Sequence, residues 1–300
     1  MYIADAHCDT LYALAIRNRD PSTLQATRSA LEQGGVALQT YALFIGTHDD
    51  PGTPKSRIRA MLGAVESLGV PLLEGPLPKK LPPGPVAVLS IEGGEAIDRL
   101  EELELYKSLG VRMITLTWNH ENRIGYPALS GSRRGLKPFG FELLEQMGAL
   151  GIIADLSHLN DQGIEDVLAH GRVKAAASHS NIRELTPFPR NLPRALAREI
   201  IRAKGFIGLN FCGEFLAGGR PATLEDVRRH GEAILELGGE KALGMGSDFD
   251  GISNWPQGLD SAADFPKLLK VLGQGVDHAT LKDIAWGNLW RLYKEAEVLS

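Results

Sequence analysis

Short apolar segments alternate along the chain with longer segments in which apolar residues recur at helical spacing. The apolar segments predict eight strands, at residues 2–7, 36–45, 86–91, 111–118, 152–158, 175–180, 206–211 and 242–249. The intervening segments predict helices at 11–18, 55–69, 95–109, 139–150, 161–170, 193–204, 224–238, 264–272 and 278–297. Apolar runs bounded by turn residues are typical of strands buried in a parallel sheet, and a period near 3.6 residues is typical of amphipathic helices.

Eight strand–helix units in a chain of 300 residues predict an α/β fold, a closed (β/α)8 barrel of the TIM type. We expect one domain over residues 1–300, ending in a C-terminal helix. Thr223 and Asp226 predict a capping box at the start of the helix at 224–238. An open doubly wound sheet is the alternative, but it needs a glycine-rich phosphate loop after an early strand. The glycine-rich segments at 213–219 and 238–246 have neither that position nor that spacing.

Composition and charge exclude several classes of protein. The chain is 43% hydrophobic and 23% charged, with a net charge of −5, which is ordinary for a globular protein. Without a strongly basic segment, nucleic acid is not expected as a partner. Two cysteines argue against a disulfide-stapled fold, and no segment is long and apolar enough to span a membrane. No secretion signal is recognisable, so we expect a soluble, cytoplasmic protein with no membrane association.

Six side chains that can bind a metal or carry a proton fall at the ends of five predicted strands. They are His7, Asp9, Glu92, His158, His179 and Asp248. Because the C-terminal ends of barrel strands converge at one mouth, we expect these residues to meet, although they are up to 241 positions apart. Histidine nitrogens and carboxylate oxygens suit Zn²⁺, Mn²⁺ or Fe²⁺. The two-residue spacing of His7 and Asp9 places both on one side of a strand, so Cys8 should face the other way and pack.

Each of these residues also has an ordinary structural explanation. A histidine near a strand end is commonly a hydrogen-bonded structural residue, and Glu92, before two glycines, could be an exposed turn residue. Asp155 could equally be a helix cap or a loop acid. A buried charge without a partner is costly, however, so charged residues at several strand ends favour a common site. The remaining histidines apart from His120 fall in loops or on polar helix faces and are expected to be exposed: His48, His170, His230 and His278.

The number of ligands predicts two metal ions. Five ligands exceed what one tetrahedral ion needs, and a carboxylate shared by two ions resolves the excess, with Glu92 as the natural bridge. Two ions sharing one water lower its pKa toward neutrality and yield a hydroxide nucleophile. Asp248 can take the proton of that water and return it to a leaving amine.

Eight segments together resemble the membrane (renal) dipeptidase family of zinc peptidases. The segments are DAHCDT (5–10), SIEGGEAI (90–97), TLTWN (115–119), GLKPFGFELLEQM (135–147), DLSHL (155–159), ASHSNIRELTPFPRNL (177–192), GLNF (208–211) and GSDFDGI (246–252). The match runs in order from about residue 3 to WGNLWRLY at 286–293 and covers nearly the whole chain. The SHS…RN block together with DFDG is specific, whereas a bare H-x-D is not.

The resemblance implies a metal-dependent hydrolase barrel with two zinc ions that hydrolyses dipeptides. His7 and Asp9 match the ligands of one zinc, and the family's bridging ligand matches Glu92. His158 and His179 match the ligands of the other zinc. The resemblance also implies a homodimer, and tolerance of a D-residue on the C-terminal side of the substrate.

Two further family roles match residues outside the metal ligands. Asp248 matches the acid that handles the proton and lies against the substrate. Arg190 matches the arginine that binds the C-terminal carboxylate of the dipeptide, and a guanidinium can pair such a carboxylate through two hydrogen bonds. Without the resemblance, a surface ion pair would be the simpler interpretation of Arg190.

The end of the fourth strand departs from the family pattern. Animal members carry a histidine there, in a TLTH-like run, where it helps to hold the substrate. The matching residue here is Trp118, and the nearest histidine is His120. Either His120 reaches in from the loop, or Trp118 and Asn119 shape a different substrate pocket. Trp118 could also be a packing residue at the mouth of the barrel.

Other functions remain as alternatives. A related barrel hydrolase of another amide, a lactone, a cyclic amide or a phosphoester would fit the same fold. Such barrels often carry H-x-H on the first strand and a bridging lysine on the fourth, and this sequence has neither. A binding barrel without catalysis, or a barrel that uses metals only for stability, would have no need of Asp248.

Overall fold

Eight parallel strands form a closed barrel in the computed structural model, which describes residues 1–298. Each strand pairs with the next one along the chain, and the last pairs with the first. The strands are β1 (Ile3–Cys8), β2 (Val36–Phe44), β3 (Val86–Glu92), β4 (Val111–Thr115), β5 (Ile153–Asp155), β6 (Ala175–Ala177), β7 (Phe206–Leu209) and β8 (Leu243–Met245). The predicted (β/α)8 barrel is confirmed.

Helices follow the strands around the outside of the barrel. They are α1 (Thr10–Ala15), α2 (Arg28–Gly34), α3 (Pro54–Ala64), α4 (Glu102–Ser108), α5 (Pro138–Ala149), α6 (Asp161–His170), α7 (Arg194–Arg202), α8 (Gly213–Ala217), α9 (Leu224–Leu235), α10 (Phe265–Leu272), α11 (His278–Lys282) and α12 (Asn288–Val298). The predicted capping box is present at the start of α9, formed by Thr223 and Asp226. The last predicted helix is divided, because a π-helical turn at Asp283–Gly287 joins α11 to α12.

Two differences from the predicted elements have physical causes. Strands β4, β5, β6 and β8 end earlier than predicted, because their last polar residues leave the strand to form the mouth of the barrel. His158 and Asp248 show this directly, since both adopt left-handed backbone conformations, with φ of 68° and 63°. The short helices α2 and α8 were not predicted, and each ends at a glycine in the left-handed conformation, Gly35 and Gly218.

The C-terminal helix closes one end of the barrel. Leu292 and Tyr293 of α12 pack against the apolar side chains that fill the barrel near the starts of the strands, such as Val86 and Phe206. The Tyr293 hydroxyl lies 2.8 Å from Thr40 Oγ1 inside the barrel. With this end filled, the opposite end, where the strands finish, is left to carry the polar side chains.

Candidate metal centre and active site

His7 and three carboxylates form one part of the polar cluster at the C-terminal mouth. The Nε2 atom of His7 lies 3.4 Å from Asp9 Oδ2, 3.5 Å from Glu92 Oε2 and 3.9 Å from Asp248 Oδ1. His7, Asp9 and Glu92 are buried, and Asp248 is slightly exposed to the mouth. We call His7, Asp9 and Asp248 the β1/β8 half of the site, after the strands that they follow or belong to.

Two histidines form the other part, next to the second carboxylate oxygen of Glu92. His158 Nε2 lies 3.1 Å from Glu92 Oε1 and also 3.1 Å from His179 Nε2. His179 Nε2 lies 3.6 Å from the same Glu92 oxygen. His158 and His179 follow β5 and β6, and we call them the β5/β6 half. The two oxygens of Glu92 therefore face different halves of the site.

Hydrogen bonds at the rear of each ring set the protonation of these two histidines. Asn119 Oδ1 lies 2.9 Å from His158 Nδ1, so this nitrogen carries the hydrogen. Ser178 Oγ lies 2.8 Å from His179 Nδ1 and donates its own hydrogen to Asp155 Oδ2, at 2.6 Å. The serine oxygen must then accept from His179. Both Nε2 atoms are left with lone pairs directed at Glu92, the form in which histidine binds a metal.

This arrangement fits a group of divalent cations. Two nitrogen lone pairs and a carboxylate oxygen cannot hydrogen bond to one another, yet they lie 3.1–3.6 Å apart in a buried site. In the β1/β8 half, three buried atoms lack a hydrogen-bond partner within residues 1–298: His7 Nδ1, His7 Nε2 and Asp9 Oδ1. Buried polar atoms without partners are costly, and a cation would satisfy those that face the carboxylates, such as His7 Nε2.

Two groups of ligand atoms are close enough to surround an ion. His7, Glu92 and His179 form one, and His7, Asp9 and Asp248 form the other, with all atoms of a group within 4.8 Å of one another. Nitrogen and carboxylate oxygen donors are the set that zinc and similar ions prefer. Cys8 does not contribute, because it packs in the apolar layer between the barrel and its outer helices.

The two halves differ in their charge state. Burial lowers the pKa of His7, but the charges of Glu92 and Asp9 outweigh it and raise the pKa well above its usual value. Burial raises the pKa of Asp9 to about 8, and the charge of Glu92 adds to this effect. In the other half, burial and the charge of Arg190 lower the pKa of His158 to about 4. His158 is therefore neutral at neutral pH.

Asn210 fixes the orientation of Asp248. Its Nδ2 atom donates to Asp248 Oδ2 at 2.9 Å, and its own Oδ1 accepts from the backbone N–H of Cys212 at 2.6 Å. The backbone N–H of Asp248 donates to the carbonyl of His7 at 3.1 Å. One carboxylate oxygen of Asp248 is thus held by the scaffold, and the other faces His7 and the mouth. Sequence reasoning missed Asn210, although the GLNF segment that contains it was recognised.

The glycine of the DFDG segment is required by the close approach of Asp9. A Cβ atom at Gly251 would lie 2.1 Å from Asp9 Oδ2 and 2.9 Å from Asp248 Oδ1. No side chain fits there without displacing both carboxylates. The specificity of DFDG as a sequence signal therefore has a steric cause.

A cavity of about 440 Å³ opens above the cluster. Its lining includes Asp9, Tyr12, Arg17, Arg19, Phe44, Glu92, Trp118, Asn119, His158, Arg190, Phe215 and Asp248. Arg190 is 5% exposed, and its Nε and Nη2 atoms are buried without a hydrogen-bond partner among the described residues. Its guanidinium lies 5.8 Å from the ring of Phe215. An unpaired buried guanidinium facing a cavity suits an anionic ligand.

The fourth strand contributes an aromatic wall to this cavity. Trp118 packs on Phe44, with 5.0 Å between the ring centroids, and Phe44 packs on Tyr12 at 4.9 Å. His120 is exposed and packs against His48 with the ring planes tilted by 50° and the centroids 4.5 Å apart. Of the alternatives left by the sequence, the structure places Trp118 and Asn119 in the lining and His120 outside it.

Other sequence interpretations of individual polar residues had mixed outcomes. His48 and His278 are exposed as expected, but His170 is mostly buried and lies 3.1 Å from Glu145. The expectation for His230 was wrong, because it is 1% exposed on the inner face of α9. Its Nδ1 accepts from the backbone N–H of Ile182 at 3.0 Å, and its Nε2 faces a backbone carbonyl. The helical period alone did not reveal this, because the polar ring lies on the buried side.

Asp155 is neither a helix cap nor an exposed loop acid. It is completely buried, and besides Ser178 it accepts hydrogen bonds from Thr115 Oγ1 at 2.7 Å and from the backbone N–H of Ser157 at 3.1 Å. Asp155 affects the site indirectly: it accepts a hydrogen bond from Ser178, and Ser178 in turn contacts His179 Nδ1. The DLSH and SHS segments contain Asp155, Ser178 and His179, but only the fold shows that the two segments meet.

Comparisons of sequence identify the family. Residues 83–300 match the sequence profile of the membrane dipeptidase family, peptidase family M19. An uncharacterised protein of Klebsiella pneumoniae is 34% identical over 219 residues, which cover 69% of this chain and 80% of that protein. An uncharacterised dipeptidase of Schizosaccharomyces pombe is 27% identical over 99% of this chain and 81% of its own length.

A comparison of structures finds a metallopeptidase with the same fold. A metallopeptidase from Rhodobacter sphaeroides, liganded with a phosphinate mimic of the dipeptide L-Ala-D-Ala, superposes with a TM-score of 0.87 at 25% identity and covers 99% of both chains. Within residues 1–298, every helix is too short or too polar to cross a membrane. The resemblance inferred from eight short segments is confirmed, and the chain belongs to the membrane dipeptidase family of metallopeptidases, as a metal-dependent dipeptidase.

Proposed function

We propose that this protein hydrolyses dipeptides, including those with a D-residue on the C-terminal side, with two zinc ions in the site at the mouth of the barrel. The observation that carries the proposal is the meeting of unpartnered ligand atoms with an unpaired buried arginine in one cavity. The Rhodobacter sphaeroides relative, liganded with a mimic of L-Ala-D-Ala, supports the choice of substrate class.

Each half of the site would hold one ion. His7 and Asp9 would bind the first, His158 and His179 the second, and Glu92 would contribute one oxygen to each. The two Glu92 oxygens already face different halves. When bound, the divalent cations would polarise the peptide carbonyl and lower the pKa of a water toward neutrality.

Arg190 would bind the C-terminal carboxylate of the substrate. Within residues 1–298, its Nε and Nη2 atoms have no hydrogen-bond partner, and a carboxylate can satisfy both through paired hydrogen bonds. The cavity of about 440 Å³ can accommodate a dipeptide that is fixed by its terminal carboxylate next to the cluster.

Asp248 would move the proton. With Oδ2 held by Asn210, the remaining oxygen faces the cluster, where it can accept a proton from the attacking water and deliver it to the departing amine. Trp118 would form the wall against which a substrate side chain packs, in the position of the family's histidine. Asn119 lies in the same wall, where the substrate would pass.

A dipeptide panel tests this function. Zinc-reconstituted protein should hydrolyse both L,L and L,D dipeptides, and turnover should disappear on chelation or in His179→Ala. Amidation of the substrate C-terminus should reduce kcat/KM of the native protein by about 10- to 100-fold, because the charged pair is worth about 1.5–3 kcal/mol. Arg190→Ala should hydrolyse the free dipeptide and the C-terminally amidated dipeptide with similar kcat/KM.

Two results would contradict the proposal. Turnover that persists unchanged in chelator would exclude the metal site as the catalyst. Failure with every dipeptide, together with turnover of a lactone or cyclic amide, would favour the other barrel hydrolases.

We also propose that residues 1–300 form a single domain that acts as a homodimer in the cytoplasm. The closed barrel with α12 across one end supports the single domain, although residues 299 and 300 lie outside the described part. Cys8 and Cys212 are both free thiols, as is usual in a reducing compartment. Light scattering on the purified protein would measure the assembly, and a monomeric mass at working concentration would contradict it.

A further inference from the structure

We propose that Asn119 is a positioning residue that holds His158 in its metal-binding tautomer, and that the β5/β6 half depends on the β4–α5 loop for this reason. The inference rests on the dinuclear site of the proposed function. It concerns how one ligand of that site is held and leaves the chemistry of the reaction unchanged.

The two histidines of the β5/β6 half are supported very differently. His179 is bound through Ser178 to Asp155, and both of these residues are completely buried within the barrel. His158 is bound at Nδ1 by the neutral amide of Asn119, which is half-buried and lies in the cavity wall. One ligand is therefore anchored in the scaffold and the other on a loop.

The backbone of His158 gives it little support of its own. With φ of 68°, this residue is in the left-handed region, which is uncommon for a residue with a side chain. Its carbonyl accepts a hydrogen bond from the backbone N–H of Ala128 at 2.7 Å, which belongs to the same β4–α5 loop. The loop thus contacts His158 at both the backbone and the ring, and Asn119 makes the hydrogen-bonding contact to the ring.

Asn119 itself is held by its neighbours in the loop. Trp118 precedes it and packs between Phe44 and the ring of His158, with centroid distances of 5.0 Å and 6.1 Å. Asn122 donates to the carbonyl of Leu116 at 2.9 Å and closes the turn that follows. The amide oxygen of Asn119 is therefore presented to His158 by a preformed loop, and a partner of this kind typically changes metal affinity by about 10- to 100-fold.

Metal affinity in three variants tests the inference. Asn119→Ala removes the acceptor, and Asn119→Asp keeps an oxygen that can accept from Nδ1. Glu121→Gln is a control in the same loop, at an exposed residue that pairs with Lys137. Zinc would be titrated into metal-free protein against a chromophoric chelator. The visible spectrum of the Co²⁺ form would report the geometry, and circular dichroism melting would confirm folding.

The expected result is selective. Native protein and Glu121→Gln bind two equivalents, Asn119→Ala binds one of the two about tenfold or more weakly with a changed Co²⁺ spectrum, and Asn119→Asp stays close to native. If Asn119→Ala binds both ions as tightly as native protein, the role of Asn119 is refuted while the dinuclear site stands. If Asn119→Ala and Asn119→Asp lose affinity equally, the residue acts by packing and the inference is again refuted. If native protein binds fewer than two ions, the dinuclear site fails and this role fails with it.

Discussion

The β1/β8 half and the β5/β6 half use the same kinds of ligand atom but are organised by different forces. In the β5/β6 half, hydrogen bonds donated by the two rings to Asn119 and Ser178 orient neutral histidines before any ion arrives. In the β1/β8 half, His7 has no such support and is surrounded by carboxylates that hold its pKa well above the usual value. One half is preorganised by hydrogen bonding, and the other is held together by charge.

The difference has a consequence for metal loading. An ion entering the β5/β6 half finds lone pairs already free, because the pKa of His158 is about 4. An ion entering the β1/β8 half must displace protons, because the pKa of His7 is raised well above its usual value and that of Asp9 is about 8. The two halves should therefore respond differently to changes in pH and in sequence.

The largest effect is expected at Glu92, the residue shared by both halves. Glu92→Gln keeps the size of the side chain but removes the charge that faces His7 and His158. Loss of the several kcal/mol that a bound metal contributes to the transition state should lower kcat/KM by about 10³-fold or more. Metal analysis and steady-state kinetics with a dipeptide would measure this.

Glu121→Gln is the matched control for that substitution, since it makes the same chemical change at an exposed residue. It should retain full metal content and activity. A Glu92→Gln protein that holds two zinc ions and turns over at the native rate would show that the halves are not joined through this residue.

A smaller effect confined to the β1/β8 half is expected at Asn210. Asn210→Ala frees the Oδ2 atom of Asp248, which is otherwise held at 2.9 Å. Misplacement of a proton-transfer group by about an ångström can cost about 10²-fold in rate, so kcat should fall by up to this factor. Separate kcat and KM values, with zinc content measured alongside, would show whether KM and metal binding stay near native. A rise in KM at unchanged kcat would instead place Asn210 in substrate binding.

The smallest effect on catalysis is expected at His230, which lies in neither half of the site. Its protonation changes the stability of the scaffold, so it can be distinguished from protonation of the site. Burial lowers the pKa of His230 to about 4, below its value in an unfolded chain, so its contribution to stability is complete above pH 6.5. As the pH falls from 6.5 to 4, the unfolded state gains a proton first, and roughly 3 kcal/mol of the free energy of unfolding should be lost.

Urea unfolding of metal-free protein at several pH values would measure the contribution of His230. His230→Asn keeps an acceptor for the Ile182 N–H but cannot titrate, so its stability should depend less on pH over this interval. Equal pH slopes for the native protein and the variant would show that the loss arises elsewhere, for example in the β1/β8 half.

The positions of the candidate ligands could be predicted because they depend on topology alone. Parallel strands that close into a barrel bring their C-terminal ends together, whatever the loops do, so His7 and Asp248 could be paired from the sequence. The supporting contacts could not be predicted. Whether Asn119 meets His158 depends on the path of a long loop and on a left-handed backbone conformation at the histidine.

The burial of His230 could not be predicted from the sequence either. A polar residue on an amphipathic helix is expected to be exposed unless its hydrogen-bond partners are known. Those partners come from the β6–α7 connection and from α8, and α8 was not predicted as a helix. The sequence therefore predicted which residues belong to the cluster better than it predicted what holds them in place.

The pairing of β1 with β8 has a consequence for the order of events during synthesis. The backbone N–H of Asp9 donates to the carbonyl of Phe249, and that of Asp248 donates to the carbonyl of His7, so the seam of the barrel and the β1/β8 half are one structure. His7 and Asp248, on the two sides of this seam, are 241 positions apart in the chain. No nascent chain can assemble that half until Asp248 has been made, and an ion bound there would fasten the first strand to the last.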